Sequence, residues 1–279
     1  MNEGAMTNEK GREAIELVMQ FDVLPDAQAK VARGVLEEEG AAREHIVVLL
    51  SGAHAYGFAS PDSDLDLKAV HVVPTSLLVG LDTAPGARDR MEVIEGVEID
   101  YTSNEVGPVL AGILGGNGNY LERILGAPAL VASPLLEGLR PLVRGALSRR
   151  VYRHYAGFAK NQRKAAEEEG GTTAKRVLYV LRTALTGTHL LRAGEVVTDV
   201  ARLFPEYGFE EASELVTLKR AGEKTKLSSR DVKRFRACLD RAMRLLEEAR
   251  ERSVLPATPS DEASRALSEW LIALRKQRF

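Results

Sequence analysis

The stretch SGAHAYGFASPDSDLDLKAV, residues 51–70, decides how this chain is interpreted. Gly52 closes an apolar, β-branched run that is typical of a buried strand, and the following residues, rich in glycine, proline and serine, indicate a loop. Asp64 and Asp66 then open the next predicted strand. Because side chains alternate along a strand, residues two apart point to the same face. Both carboxylates can therefore reach one point above the sheet.

Three strands are predicted around this stretch. HIVVLLSG at 45–52 precedes the loop, LDLKAVHVV at 65–73 follows it, and VIEGVEIDY at 93–101 comes after a polar connection. A helix is predicted before the first strand, at Asp26–Arg43, because the apolar residues there have helical spacing. The first hundred residues therefore predict an α+β unit built on a small mixed sheet.

Helical spacing replaces the strand pattern after Thr102, and several later segments begin after Ser, Thr or Asp, which commonly cap helices. The clearest of these segments are residues 173–193, 210–221, 229–252 and 261–277. We therefore predict two domains, a sheet-containing domain at residues 1–134 and an all-helical domain at residues 135–279.

A third carboxylate is available for the spot that Asp64 and Asp66 face. Asp100 comes near the end of the third predicted strand. Carboxylate oxygens are the hard ligands that Mg²⁺ prefers, and a site with few protein ligands leaves positions for substrate phosphates. Two such ions about 3.5–4 Å apart stabilise both the attacking and the leaving oxygen of a phosphoryl transfer. The sequence therefore predicts a divalent metal site formed by Asp64, Asp66 and Asp100.

Composition excludes several classes of protein. With 279 residues, 44% of them hydrophobic and 28% charged, the chain can bury a substantial core. Cys238 is the one cysteine, and no cysteine and histidine cluster has the spacing of a zinc site, so redox and structural zinc roles are disfavoured. The sequence shows neither a secretory leader nor an apolar run of about 20 residues, so we expect a cytoplasmic protein without membrane contact.

Basic residues are concentrated in one part of a chain whose formal net charge is -2. Residues 140–182 contain eleven Lys and Arg against three acidic residues. Residues 1–45 contain five Lys and Arg against ten acidic residues. On a helix, the cluster of Arg149, Arg153, Lys160 and Lys164 would form one basic face, which suits a polyanion such as RNA or simply a solvated helix surface.

In the next helix, Tyr179 and Arg182 share a stripe suited to a base and a phosphate, or to packing against a neighbouring helix.

Gly52 with Ala53, followed after a loop by Asp64-Leu65-Asp66, resembles the nucleotidyltransferase signature of the DNA polymerase β-like superfamily. The fuller pattern is similar to one branch, the predicted nucleotidyltransferases associated with RNA ligases. The residues that carry this likeness are Gly52, Ala55, Tyr56, Gly57, Pro61, Ser63, Asp64 and Asp66. Three helical stretches are similar to motifs of the same branch: GNGNYLERIL at 116–125, HYAGFAKNQRK at 154–164 and KRVLYVLRTALTGTHLLRAGEV at 175–196. The resemblance covers about residues 47–203.

The resemblance implies a metal-dependent nucleotidyltransferase, in which an acceptor hydroxyl attacks the α-phosphate of a nucleoside triphosphate and pyrophosphate leaves. Asp64, Asp66 and Asp100 would hold Mg²⁺ or Mn²⁺, and the Gly52 turn would hold the triphosphate. Residues 1–134 would then be the catalytic domain. The association of this branch with RNA ligases implies an RNA end as acceptor, in RNA repair or modification, and an RNA ligase as partner.

The residues expected to bind the nucleotide are Gly52, Ala53, Ser63 and Lys68 beside the acids, with Tyr179 and Arg182 of the helical stripe. The superfamily usually has a serine where this chain has Ala53, so a hydroxyl that binds phosphate is missing. Ser51 lies nearby, although strand alternation is expected to aim it at the opposite face. Ser63 suits a phosphate contact or an ordinary turn, and Lys68 suits a phosphate or the neighbouring carboxylates.

Two other functions remain open at this point. A non-catalytic nucleotide-binding or RNA-binding module is compatible with Ala53, although the intact acids Asp64, Asp66 and Asp100 favour an enzyme. A nucleotidyltransferase that modifies a protein or a small molecule would share the same acids and differ only in its acceptor.

Overall fold

The computed structural model describes residues 18–81, 86–126, 129–168, 172–222 and 226–279. The strands are β1 (Val18–Met19), β2 (Glu44–Leu50), β3 (Leu65–Val72), β4 (Ala87–Ile94), β5 (Val97–Glu105) and β6 (Ala129–Ala132). The helices of the sheet region are α1 (Asp26–Ala42), α2 (Gly52–Ala55), α3 (Thr75–Val79), α4 (Val106–Leu114) and α5 (Gly118–Leu125). The later helices are α6 (Pro134–Gly145), α7 (Val151–Glu168), α8 (Ala174–Ala193), α9 (Val200–Tyr207), α10 (Ser213–Ala221), α11 (Ser229–Glu251) and α12 (Asp261–Gln277).

The six strands form one mixed sheet in the order β1-β6-β2-β3-β5-β4. The pair β3 and β5 is parallel, and all other neighbours are antiparallel. After β6 the described residues form helices and one isolated bridge, between Thr173 and Lys226. The predicted α+β class is therefore confirmed, with a small mixed sheet followed by a helical region.

The predicted third strand is wrong in one respect, because residues 93–101 are a hairpin and not one continuous strand. β4 ends at Ile94 and β5 begins at Val97. The two residues between them, Glu95 and Gly96, have φ angles of 49° and 81°. Two consecutive left-handed residues form the tight turn whose twist matches that of a hairpin. The polar residues preceding Ile94 thereby become a strand that the sequence pattern does not reveal.

The two faces of the sheet have different partners. On one face, Leu65, Leu67 and Tyr101 pack in an apolar cluster with the buried side of α1. The opposite face carries Asp66, Lys68 and Asp100 at one end, while further along it belongs to a second apolar cluster shared with α4 to α8. The acids therefore lie on the face of the sheet that the helical region covers.

The later helices begin where the sequence predicts them. Thr173, Ser228 and Ser260 accept backbone N–H bonds at the first turns of α8, α11 and α12. α8 is buried along almost its whole length, because α7, α10 and α11 all pack against it. α12 returns to the sheet region and packs against α4 and α6. In the part of the chain described, no helix is long and apolar enough to span a membrane.

The C-terminal helix is attached to the sheet region by two arginines. Arg275 pairs with Glu105, whose side chain is 3% exposed, and donates to the Val73 carbonyl at 3.1 Å. Arg278 pairs with both carboxylate oxygens of Glu44 at 2.8 Å. Arg275 is therefore the more deeply buried of the two attachments.

Arg275→Leu should lower the free energy of unfolding by about 3 kcal/mol, because it leaves the buried charge of Glu105 without its partner. Arg278→Leu is the matched control. Its partner Glu44 is 27% exposed, so we expect a loss of about 1 kcal/mol or less. Urea unfolding of both variants measures the difference, and equal losses would contradict this account of the attachment.

Candidate active site

Asp66 and Asp100 lie side by side on neighbouring parallel strands. The register of β3 and β5 pairs Asp66 with Asp100 and Lys68 with Thr102. Residues that are paired across two strands point to the same face of the sheet. Asp64 lies just before β3, and its charge reaches Asp66. The structure therefore brings the predicted acids to one end of the parallel pair.

Gly52 is in direct contact with the Asp66 side chain. The φ angle of Gly52 is +59°, and a Cβ atom there would lie 1.7 Å from Oδ2 of Asp66. The Ser51 N–H donates to the Asp66 carbonyl at 2.8 Å, which fixes the backbone of the turn against β3. Only glycine can occupy position 52 while the carboxylate keeps this position.

Burial is the main reason that the pKa of the Asp66 carboxyl is raised to about 6. The negative charges of Asp100 and Asp64 raise it further, and the positive charge of Lys68 lowers it. The burial of Asp66 and its acidic neighbours therefore both oppose the ionised form of its carboxyl group.

The ammonium group of Lys68 lies between the two paired carboxylates. Its Nζ is 2.8 Å from Oδ2 of Asp100 and 4.0 Å from Oδ1 of Asp66. It also donates to the Asp100 carbonyl and to the Thr102 hydroxyl, both at 3.4 Å. The sequence allowed Lys68 either phosphate or carboxylate partners, and in this structure its partners are the carboxylates.

The donor chemistry suits a hard divalent cation, since carboxylate oxygens are the ligands that such an ion prefers and Asp66 is paired with Asp100 across β3 and β5. Within the described ranges, however, no three acidic, histidine or cysteine side chains are grouped closely enough to hold an ion. Lys68 supplies the positive charge between Asp66 and Asp100. A metal site formed by Asp64, Asp66 and Asp100 therefore remains a prediction.

A cleft of about 240 Å³ opens beside the acids. The sheet side contributes Ser51, Gly52, Asp66 and Lys68, whereas α5 and α8 contribute Arg123 and Tyr179. Gly52, Lys68 and Tyr179, predicted from the sequence to bind a nucleotide, thus meet around one cavity with Asp66. The lining thus combines the Gly52 turn, two cationic side chains and an aromatic ring.

Arg182 lies beside this cleft and is almost fully buried. It pairs with Glu122 at 2.6 Å, and its guanidinium lies 3.6 Å from the centre of the Tyr56 ring. Glu122 also accepts a hydrogen bond from the hydroxyl of Tyr155 at 3.0 Å. In this structure Arg182 supports the wall of the cleft, whereas the sequence analysis assigned it to the ligand. The sequence analysis missed Glu122, which lies 60 positions away from Arg182.

Three small residues of the turn have separate positions. Ala53 is 6% exposed and packs into the apolar cluster, and Ser63 is 5% exposed within the turn that precedes Asp64. Ser51 lines the cleft, so its expected orientation to the opposite face is wrong. The reason is the pairing of Leu49 with Lys68, which places Leu49, and Ser51 two residues later, on the face that carries the acids. Ser51 therefore brings a hydroxyl to the cleft, where it lies 3.3 Å from the hydroxyl of Tyr56.

Arg123 is a cleft residue that the sequence analysis did not identify. It donates to the Ala69 carbonyl at 3.1 Å and to the side chain of Asn104. Its position over the parallel strands follows from the packing of α5, so no local sequence pattern indicates it.

A protein-family model matches most of the chain. The model of the RlaP family, described as the RNA repair pathway DNA polymerase beta family, matches residues 32–273. An uncharacterized protein of Methanocaldococcus jannaschii is 30% identical over 156 residues, which are 55% of this chain and 63% of that protein. The match thus spans less than two thirds of the length of this curated relative.

A solved structure is also similar. A nucleotidyltransferase-like protein from Exiguobacterium sibiricum aligns with 89% of this chain and 79% of its own, with 10% identity and a TM-score of 0.33.

Gly52→Ala should weaken the binding of Mn²⁺ by about a hundredfold, because the methyl group would displace the Asp66 carboxylate by an ångström or more. Gly96→Ala is the matched control, since Gly96 also has a positive φ but no atom within 4 Å of its added Cβ. Both variants should lose about 1 kcal/mol of stability from the left-handed backbone alone. Mn²⁺ binding followed by electron paramagnetic resonance separates the two effects. If Gly52→Ala binds Mn²⁺ as tightly as the wild type, the position of the Asp66 carboxylate does not control metal binding.

Proposed function

The chain belongs to the RNA repair pathway DNA polymerase beta family, and from this premise we propose that it is a metal-dependent nucleotidyltransferase acting on an RNA end. It would transfer a nucleoside monophosphate from a triphosphate to an acceptor hydroxyl. The single observation that carries the proposal is the pairing of Asp66 with Asp100 beside the Gly52 turn, at a cleft lined by Lys68, Arg123 and Tyr179.

The residues around the cleft suit a triphosphate. The Gly52 turn and the Ser51 hydroxyl lie on one side, where backbone and side-chain donors can bind phosphate oxygens. Arg123 and Lys68 offset the negative charge of the phosphates. Tyr179 offers a ring face to a base. The resemblance assigned phosphate binding to the position of Ala53 and to Ser63. The hydroxyl of Ser51 can take this role in the cleft.

Asp64, Asp66 and Asp100 are the residues that would hold Mg²⁺ or Mn²⁺. When bound, the ions stabilise the charge of the attacking and leaving oxygens. Lys68, two residues after Asp66 on the same face of β3, would offset the charge of the phosphates. The protein's own contribution is to orient the triphosphate and the acceptor, so no nucleophilic side chain is required.

The expected contact for RNA is the basic face of the helical region. Arg149, Arg153, Lys160 and Lys164 are all exposed, as a polyanion would require. Arg163, also on α7, pairs instead with Asp240 at 2.7 Å. Arg149 lies just before α7, so the predicted face on one helix comprises Arg153, Lys160 and Lys164. In this proposal residues 1–134 hold the catalytic site and residues 135–279 bind the acceptor. An RNA ligase that seals the modified end remains the predicted partner.

Incubation with each labelled triphosphate, Mg²⁺ or Mn²⁺ and a panel of RNA ends tests the activity directly. Asp66→Asn and Asp100→Asn should each lower transfer at least about a hundredfold, as expected for groups that stabilise the transition state. Asp62→Asn is the control, because Asp62 is an exposed acid in the same loop. Equal activity in all three variants would remove the paired carboxylates from the mechanism.

The acceptor is tested by the salt dependence of RNA binding. Contact with single-stranded RNA should give a log-log slope of about -0.7 per phosphate neutralised, so Lys160→Ala with Lys164→Ala should flatten the slope by roughly one to two units. Lys233→Ala with Lys276→Ala removes two exposed lysines elsewhere and should leave the slope unchanged. RNA affinity that is insensitive to salt in all three proteins would favour a small molecule or a protein as acceptor.

A further inference from the structure

Lys219 is a fully buried lysine on the inner side of α10. Its exposure is 0%, and it shares the buried side of the helix with Leu215 and Val216. Helix packing by itself favours an apolar residue at such a position, because removing an ammonium group from water is costly unless its hydrogen bonds are replaced. The contacts of the ammonium group must therefore explain why a lysine occupies this position.

The ammonium of Lys219 ends in the loop that leads to the acids. It donates to the hydroxyl oxygens of Ser60 and Ser63, each at 2.6 Å. These two serines are themselves joined, since the Ser60 N–H donates to Oγ of Ser63 at 2.9 Å and the Ser63 N–H donates to the Ser60 carbonyl at 3.0 Å. Lys219 thus holds both ends of one tight turn.

Asp64 follows this turn directly and lies outside the ladder of the sheet. The β3–β5 pairing begins with Leu65 and Ile99, so Asp66 is held in register on β3. Asp64 lies between the Ser60–Ser63 turn and the first paired residue of β3. On the other side of the turn, the Gln28 side chain donates to the Ser63 carbonyl at 2.9 Å. A displacement of the turn would therefore move Asp64 more than Asp66.

Other residues of the helical region hold the beginning of the same loop. The Val200 N–H donates to the Tyr56 carbonyl at 3.1 Å, and Arg220 donates to the Gly57 carbonyl at 3.4 Å. Lys219 is the member of this group whose side chain reaches Ser60 and Ser63, in the turn before Asp64. The loop between α2 and β3 is thus fixed from the helical region at several points.

We propose that Lys219 is a positioning residue, which holds the Ser60–Ser63 turn from α10 and thereby sets the place of Asp64 beside Asp66. The inference rests on the proposed function, in which Asp64 belongs to the cation-binding acids. In this inference, the position of Asp64 depends on a side chain that lies 156 positions after Ser63.

Lys219→Met keeps the length of the side chain and removes the ammonium, and Lys233→Met removes an exposed lysine as the control. In Lys219→Met we expect kcat for nucleotidyl transfer to fall about tenfold to a hundredfold, the cost of a displacement on the order of 1 Å near the reacting groups. The affinity for Mn²⁺ without nucleotide should fall as well. The KM for the triphosphate should stay within about twofold, because the Gly52 turn and the cleft are untouched.

A purely structural role would give a different pattern. It would lower the number of nucleotide-binding sites in parallel with kcat and leave the Mn²⁺ affinity of the remaining folded protein unchanged, and that result overturns the proposal. If Lys219→Met does not fold, Ser63→Ala replaces it, because it removes one acceptor of Lys219 and keeps the other. Unchanged kcat and Mn²⁺ affinity in a folded Ser63→Ala protein would equally overturn it.

The Mn²⁺ measurement separates this inference from the proposed function. If the wild-type protein transfers no nucleotide to any RNA end but binds Mn²⁺, weaker than wild-type binding in Lys219→Met still supports the positioning role. If transfer is seen in the wild type and both measurements are unchanged in Lys219→Met, the function stands and the inference fails.

Discussion

The contact between the Asp66 carboxylate and the α-carbon of Gly52 is the constraint on which the site depends. Oδ2 of Asp66 occupies the space that a Cβ atom at position 52 would need. The turn can therefore approach β3 only with glycine, and only in its left-handed conformation. This one approach places the Gly52 turn and the Asp66 carboxylate within the same small volume, as the proposed transfer between bound partners requires.

The second carboxylate reaches this volume through the geometry of the sheet. The hairpin turn at Glu95 and Gly96 reverses the chain, so that β5 lies beside β3 and runs parallel to it. The register then places Asp100 opposite Asp66. A shift of one residue in β5 would send Asp100 to the face packed by α1. Burying Tyr101 and Ile99 on that face therefore also determines where Asp100 points.

Sequence patterns predict the features that depend on local chemistry. The Asp-x-Asp spacing predicts that Asp64 and Asp66 share a face, and the polar caps of the later helices are visible as single residues. The hairpin was missed because Glu95 is not a residue type that usually adopts positive φ. Arg182 was assigned to a ligand because its partner Glu122 comes from another helix, and a helical stripe alone does not distinguish a buried ion pair from a binding surface.

The contrast between local patterns and contacts from distant helices explains why the sequence identifies the acids and not the groups that hold them. Asp66 is fixed by a ladder whose pattern repeats every two residues, so its neighbours are visible in the sequence. The loop before Asp64 is fixed by Gln28 on α1, Val200 at the start of α9 and Lys219 on α10, which meet only after the whole chain has packed. A buried lysine in an apolar helix face is, however, a signal in its own right. Its desolvation must be compensated by specific hydrogen bonds, and in this protein those bonds lead to the turn before the acids.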